Sequence, residues 1–288
     1  MKKLRRFAVI LPLLLVAALC SCAGKEDADV KAGSLTAHFL NVGQGDCAFV
    51  ELPDGRAVLI DAAENYYGEG IIGYIRQTGH DKIDYLVASH PHSDHIGSMG
   101  YIVRHMDVGA CYMPRATNNT KAFEKLLESL ENRSVPVAEA GSGVVMIDDG
   151  GVKAEFLAPV SISENLNNCS AVLRLSFGKT TFLFTGDAET EELSEITADL
   201  SADVLKVSHH GSADANTAET LGRINPKTAV ISCGAGNDFG HPHKETLDLL
   251  GQMGAKVYRT DLDGTVTVSS DGKSITVTHD NMAIERAK

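Results

Sequence analysis

Residues 89–98 read S-H-P-H-S-D-H-I-G-S and follow directly on the apolar run Tyr85-Leu86-Val87-Ala88, so three histidines and an aspartate crowd into positions 90–95 at what looks like a strand end. His90 and His92 are two apart, so on an extended segment both rings point the same way. Pro91 holds that extended shape through its fixed φ and by restricting His90. The chain must then turn, which lets Asp94 and His95 converge on a neighbouring point. Imidazole nitrogen and carboxylate oxygen are the ligands that borderline divalent ions take, and uncoordinated histidines this crowded would repel one another on protonation. The stretch therefore reads as a pair of metal positions, and the fold must bring further ligands to the same strand end.

The rest of the chain suits such a fold. With 288 residues and 43% hydrophobic content it can bury a full core. Short β-type runs bounded by Gly, Pro and Asp-Gly turns predict strands at 35–42, 47–52, 56–61, 85–89, 153–157, 172–177, 180–185, 204–207, 228–232, 256–258, 265–269 and 274–278. Helices are expected near 70–77, 122–130, 189–200 and 245–253. Hairpins at both ends with strand-helix-strand units between them suggest an α/β layered fold, two sheets packed face to face with helices outside. No composition shift follows Gly33, so 34–288 is expected to be a single domain.

Other candidate ligands also end apolar runs. Asp187 closes 181–185 (TFLFT), and Gly186 before it would let the backbone approach an ion; a plain Gly-Asp turn is the alternative. His209 and His210 end the run at 204–207, where alternation would put the rings on opposite faces and leave one of the two as the ligand. Lys206 shares a face with His210, either to meet negative charge on a substrate or simply to be solvated. Asp46, in G-Q-G-D, fits equally an aspartate that orients a metal-bound histidine and a turn aspartate.

H-x-H-x-D-H at a strand end, followed by Ile96-Gly97, resembles the signature of the metallo-β-lactamase superfamily. Further stretches resemble one branch of it, the extracytoplasmic C-terminal domain of the DNA-uptake protein ComEC. They are 39–46 (FLNVGQGD), 168–170 (NCS), 184–187 (FTGD), 205–212 (LKVSHHGS), 240–243 (GHPH) and 258–261 (YRTD), so the resemblance runs over nearly all of 34–280. It implies an αββα sandwich of two mixed sheets and two divalent ions, zinc or manganese. His90, His92, Asp94, His95 and His209 or His210 would be ligands, with Asp187 bridging. It also implies hydrolysis by a hydroxide shared between the ions, with Asp94 or a carboxylate behind the ligands taking the spare proton, His241 or the non-ligand member of His209 and His210 protonating the leaving oxygen, and His241 otherwise a ligand. His243 reads as part of the same loop or as the cap of the helix after it, while Asn168, Ser170 and Ser212 read as residues near ligands or substrate. There is one departure: many superfamily members carry a further histidine between the block at 90–95 and the bridging aspartate, where this chain has Asn167, Asn168 and Ser170, and His105 lies just after the metal loop.

The N-terminus adds a location. Residues 1–6 (MKKLRR) are positive and 7–19 are apolar but too short to span a bilayer comfortably, which is the pattern of an export signal over 1–21. Leu19-Cys20-Ser21-Cys22 resembles a bacterial lipobox, making Cys22 the expected lipidated residue and 22–33 a polar tether to the membrane. Cys47, Cys111, Cys169 and Cys233 show no C-x-x-C spacing, and Cys111 and Cys233 read as small buried hydrophobes. The net charge of −12 becomes about −16 without the four basic residues of the signal, a poor global field for gripping a polyanion. The expected substrate is DNA or another phosphodiester, the alternatives being a surface phosphoesterase on small or teichoic-acid phosphoesters and a non-catalytic surface binding protein. No protein partner can be inferred.

Overall fold

The computed structural model describes residues 33–287; the expected signal, Cys22 and the tether up to residue 32 lie outside the described residues. In chain order the strands are β1 (Leu35–Phe39), β2 (Ala48–Glu51), β3 (Ala57–Ile60), β4 (Lys82–Val87), β5 (Asp107–Met113), β6 (Val137–Glu139), β7 (Val145–Asp149) and β8 (Val152–Phe156). They continue as β9 (Leu173–Phe177), β10 (Thr180–Phe184), β11 (Val204–Lys206), β12 (Thr228–Ile231), β13 (Lys256–Arg259), β14 (Val266–Ser270) and β15 (Ile275–His279). The helices are α1 (Gly68–Gln77), α2 (Ser93–Ile96), α3 (Met99–His105), α4 (Lys121–Asn132), α5 (Thr190–Glu195), α6 (Ala218–Ile224), α7 (Lys244–Gln252) and α8 (Thr260–Asp263).

One sheet runs β15-β14-β1-β2-β3-β4-β5-β6 and the other β13-β12-β11-β10-β9-β8-β7. Each is antiparallel in one half and parallel in the other, the parallel pairs being β3–β4–β5–β6 and β10–β11–β12–β13. The inner faces meet over Phe39, Val50, Phe156, Phe177, Phe182 and Phe184. The outer face of the first sheet packs Ile71 and Ile75 of α1, Ile102 of α3 and Leu126 of α4, and that of the second packs Leu193 of α5, Leu221 of α6 and Leu250 of α7. The expected αββα sandwich of two mixed sheets is borne out. All three apolar clusters fall within 33–287, so this part of the chain carries its own core.

Three strands carry too little pattern to be read from the sequence. β6 and β7 are edge strands with exposed ends, and β5 opens on Asp107 and contains Gly109, at which a Cβ would lie 2.6 Å from the Asp84 carbonyl of β4. The helix expected over 189–200 stops at Glu195, and α3 and α6 appear where none was expected. The four described cysteines are buried and unpaired, Cys111 and Cys233 among them. No helix of the described residues is long and apolar enough to cross a membrane.

Candidate metal centre

The parallel halves of both sheets aim the C-terminal ends of their strands at one place, where open α/β sheets ordinarily hold ligands. β3 ends in Asp61, β4 in the segment 89–95, β10 in Asp187 and β11 in His209-His210. Asp94, His95, Asp187 and His210 each offer one ligand atom, and these atoms lie within 4.8 Å of one another. Asp187 Oδ2 is central: it is 3.2 Å from His95 Nε2, 3.6 Å from His210 Nε2, 3.8 Å from His209 Nε2 and 4.0 Å from His90 Nε2. Asp94 Oδ2 lies 3.3 Å from His210 Nε2 and 3.8 Å from His95 Nε2. His90 Nε2 faces His92 Nδ1 at 2.9 Å, so the alternate spacing does bring both rings to one side.

Hydrogen bonds behind the rings decide which nitrogen faces the centre. His95 Nδ1 donates to Asp61 Oδ2 at 2.8 Å, and His210 Nδ1 donates to the Ser232 carbonyl at 3.0 Å, so in both rings Nε2 is the nitrogen that points inward. Ser89 holds Asp61 in turn, its amide giving to Oδ1 at 2.8 Å and its hydroxyl to Oδ2 at 2.6 Å. His95 Nε2 and Asp187 Oδ1 are buried without a hydrogen-bond partner. Such orphaned atoms are costly, and in a cluster of this donor set a divalent cation satisfies them. The residues present therefore fit a metal site.

The charges show what a cation would replace: without one, the carboxylates keep protons on two of the rings, and metal binding would release them. Burial would raise the Asp187 carboxyl, but His95, His210 and His90 hold it well below the usual range. Burial would lower His95 and His210, yet the surrounding carboxylates prevail, lifting His95 well above its ordinary value and His210 to about 10. Burial and His95 push His90 well below its ordinary value, toward the neutral form that binds metals.

Several expectations are corrected by the geometry. Lys206 faces neither substrate nor solvent: it is buried, and its ammonium pairs with Asp46 Oδ2 and donates to the Val207 carbonyl at 3.0 Å. Asp46 thus stands behind the centre, its Oδ1 3.4 Å from His210 Nδ1, and Lys206 and His210 hold its carboxyl down to about 2 against burial. His209 and His210 do not alternate. Both are left-handed, with φ 47 and 50, which turns both rings toward Asp187. Gly186, at φ 52, gives room to Ser89 rather than to an ion, since a Cβ there would lie 2.8 Å from Ser89 Cβ.

Asn168 gives its amide hydrogen to Glu191 and accepts from the Glu189 amide, and the Ser170 hydroxyl accepts from the Asp187 amide at 3.1 Å; both are committed to the protein. His105 stacks on Tyr101 away from the centre. The Ser212 hydroxyl accepts from the Asp214 amide, and His243 Nδ1 accepts from the Ala213 amide at 3.0 Å, so His243 braces the loop after His210 rather than capping α7 with its side chain. His241 stands at the rim, its ring 5.5 Å from that of His209 and stacked on the exposed Phe239; burial and the neighbouring histidines lower it to about 4. Asp61 and Ser89 escaped the sequence reading. The signal was an aspartate ending the run A-V-L-I-D, the same grammar as Asp187, here with φ 55.

The sequence profile of the Metallo-beta-lactamase superfamily matches residues 40–235. Similar curated proteins include ComE operon protein 3 of Bacillus subtilis, 32% identical over 249 residues that cover 79% of this chain and 32% of that protein. Recombination protein 2 of Haemophilus influenzae is 26% identical over 80% of this chain and 28% of its own, and competence protein ComA of Neisseria gonorrhoeae 30% identical over 68% and 26%. The chain thus spans about a third or less of the length of these relatives. Among solved structures, the metallo-beta-lactamase fold protein YhfI from Bacillus subtilis superposes with a TM-score of 0.56 at 12% identity, covering 82% of this chain and all of that one. The diiron β-hydroxylase CmlA from Streptomyces venezuelae gives 0.55 at 17% identity, over 83% of this chain and 54% of its own. These two likenesses speak to the fold, and the competence relatives agree with the resemblance to the ComEC branch.

Proposed function

Since the chain belongs to the metallo-beta-lactamase superfamily, we propose that it is a metal-dependent phosphodiesterase acting on DNA, exported and lipid-anchored through Cys22 on the outer face of the membrane. The convergence of Asp94, His95, Asp187 and His210, with both Nε2 atoms aimed inward, carries the reading. His90, His92, Asp94, His95, Asp187, His210 and the more exposed His209 would hold two divalent ions, zinc or manganese. Bound ions would supply Lewis acidity, bringing a water near neutrality in pKa and offsetting charge on the attacked phosphoryl oxygen.

The residues do the rest. Asp187 fixes the spacing between the two halves of the centre, since the histidines of both lie around its Oδ2. Asp94, about a third exposed, offers a carboxylate edge to the open side of the cluster, where it would accept a hydrogen bond from the attacking water; His95 and His210 hold its carboxyl well below the usual range against burial. His241, kept neutral at the rim by burial and the neighbouring histidines, would hydrogen-bond the leaving group while the proton that group needs comes from solvent water. Asp61, Ser232 and the Asp46–Lys206 pair hold the rings still, so positioning is done before substrate arrives.

DNA is supported by the competence and recombination proteins among the relatives. One observation favours a second reading, hydrolysis of small or teichoic-acid phosphoesters at the cell surface: a net charge of −12 suits a small substrate better than a gripped polyanion. The test is to purify the chain from Gly33 onward, measure bound metal, and assay bis-p-nitrophenyl phosphate and single-stranded DNA with zinc and with manganese. Metal binding with cleavage of both substrates, and a loss of at least a thousandfold in Asp187→Asn, is the expected result. A chain that binds no metal would end the enzyme reading in favour of a surface binding protein, and turnover of the small diester alone would give the second reading precedence.

A further inference from the structure

The end of the domain opposite the histidines holds a cluster of cations that hydrolysis does not use. Strands β10, β11 and β12 connect the two ends. Their N-terminal ends at Thr180, Asp203 and Thr228 line a cleft of about 390 Å3, and their C-terminal ends deliver Asp187, His210 and the Ser232 carbonyl. From Thr180 to Asp187 the extended rise of ~3.3 Å per residue puts the cleft roughly 20 Å from the metal centre. Lys179, Lys227, Lys256 and Lys273 line this cleft, and Asp203 is the one acidic residue in its wall. Lys227 is paired with Asp203 at 2.7 Å, whereas Lys179, Lys256 and Lys273, all exposed, form no ion pair among the described residues. In a chain of net charge −12 this is a local reversal of sign. Asp271, which accepts from the Lys273 and Ser274 amides, stands beside the cleft, so four lysines face two carboxylates within the ~8–10 Å over which charges act at physiological ionic strength, and the local sign stays positive.

The chain also enters the domain at this end. Leu35 pairs with Ser270, and Ser270 pairs with Ile275 in the cleft wall, so two inter-strand steps of ~4.8 Å place the first strand about 10 Å from the lysines. The segment 23–33 that links Cys22 to this strand is polar, A-G-K-E-D-A-D-V-K-A-G, and long enough to reach roughly 35 Å when extended. A tether of that length would hold the domain near a membrane without orienting it. We propose that the lysine cleft binds the phosphate groups of anionic phospholipid headgroups, docking the domain by its tethered end and turning the metal centre outward. The cleft's preference for phosphate stands on the lysines alone; the membrane as its source rests on the export and anchoring put forward above.

Sedimentation of the chain from Gly33 onward with vesicles tests this, needs neither metal nor turnover, and so separates from any failure of the hydrolase reading. Vesicles of phosphatidylcholine with about 30% phosphatidylglycerol should bind it at low salt and release it at high salt, while pure phosphatidylcholine vesicles should not bind it. Each lysine at an anionic surface is worth roughly fivefold in affinity, so Lys179→Glu, Lys256→Glu and Lys273→Glu together should weaken binding by about a hundredfold or more. The circular dichroism spectrum and thermal midpoint of the variant should match those of the parent, which reports that it is folded. The milder set Lys179→Gln, Lys256→Gln and Lys273→Gln should fall between, and Lys121→Glu with Lys125→Glu on α4 should bind as the parent does. Equal binding to both vesicle types, or triple variants that bind as the parent does, would overturn the proposal. A single-stranded oligonucleotide that needs the same three lysines while anionic vesicles do not bind would assign the cleft to nucleic acid instead.

Discussion

The two halves of the metal centre are built to different standards. In one, His95 is braced by Asp61 and Ser89, and His210 by the Ser232 carbonyl, with Asp46 held beside it by Lys206. In the other, His90 has the Ser89 hydroxyl at 3.1 Å and His92 has His90, and the place of a further imidazole is taken by Asn168 and Ser170, which serve Glu189, Glu191 and Asp187. Outer partners fix a ligand's tautomer and direction and so determine how tightly it holds a metal. The difference teaches that the fold preorganises one set of candidate ligands, while a second ion, as proposed, would depend on a pair of rings and a share of Asp187.

The largest effect should come from breaking the braced half. His210→Ala is expected to remove the tighter metal equivalent and with it the hydrolysis of bis-p-nitrophenyl phosphate, whereas His92→Ala should retain one equivalent. Stepwise titration with zinc and then manganese, read by calorimetry, checks this. If the two variants lost metal in the same order and amount, the halves would be equivalent and the distinction void. A smaller effect is expected when the ligands stay and only the brace goes. Asp61→Ala should weaken the tighter equivalent by about ten- to hundredfold and the other less, through the Ser89 hydroxyl that Asp61 holds beside His90; an unchanged first step would reduce Asp61 to a buried structural carboxylate.

The same contrast separates what could be read in the sequence from what could not. The block at 90–95, Asp187 and the paired histidines were legible because each ends an apolar run, and a strand end is where a sheet aims its ligands. The sandwich was legible from strand-helix-strand units flanked by hairpins. Asp61 was not, because an aspartate after four apolar residues reads as ordinary turn chemistry until Ser89 and His95 are seen around it. The direction of His209 was hidden by two successive left-handed residues, which defeat any argument from alternation. Lys206 shares a face with His210 in the sequence pattern, but nothing in the chain said that Asp46, 160 positions earlier, would pair with it in the interior. β5, β6 and β7 were lost because exposed edges and a glycine erase the period of two.

A second pair of buried carboxylates, Asp187 and Glu192, sharpens the lesson at smaller amplitude. Asp187 has imidazoles around it, whereas neither oxygen of Glu192, itself 3% exposed, meets a hydrogen-bond donor; the nearby Ser170 amide gives its proton to the Asn167 carbonyl at 3.1 Å instead. Burial, opposed only weakly by that amide, lifts the Glu192 carboxyl from 4.5 to about 9. A group whose pKa is raised in the folded state keeps its proton there after the unfolded chain has lost it. Its contribution is whole below pH 4.5 and declines as the pH climbs toward 9. Each unit in that window costs about 1.4 kcal/mol for an ideal single group, so between pH 5 and 8 the parent should lose a few kcal/mol that Glu192→Gln does not. Thermal melts of the metal-free chain from Gly33 onward across that range check it, because titration of the site histidines is common to both proteins and cancels in the difference. The glutamine variant should gain on the parent by several degrees at pH 8 and converge with it near pH 5. Parallel curves would mean that Glu192 is ionised in the fold and has found a partner, as Asp187 has.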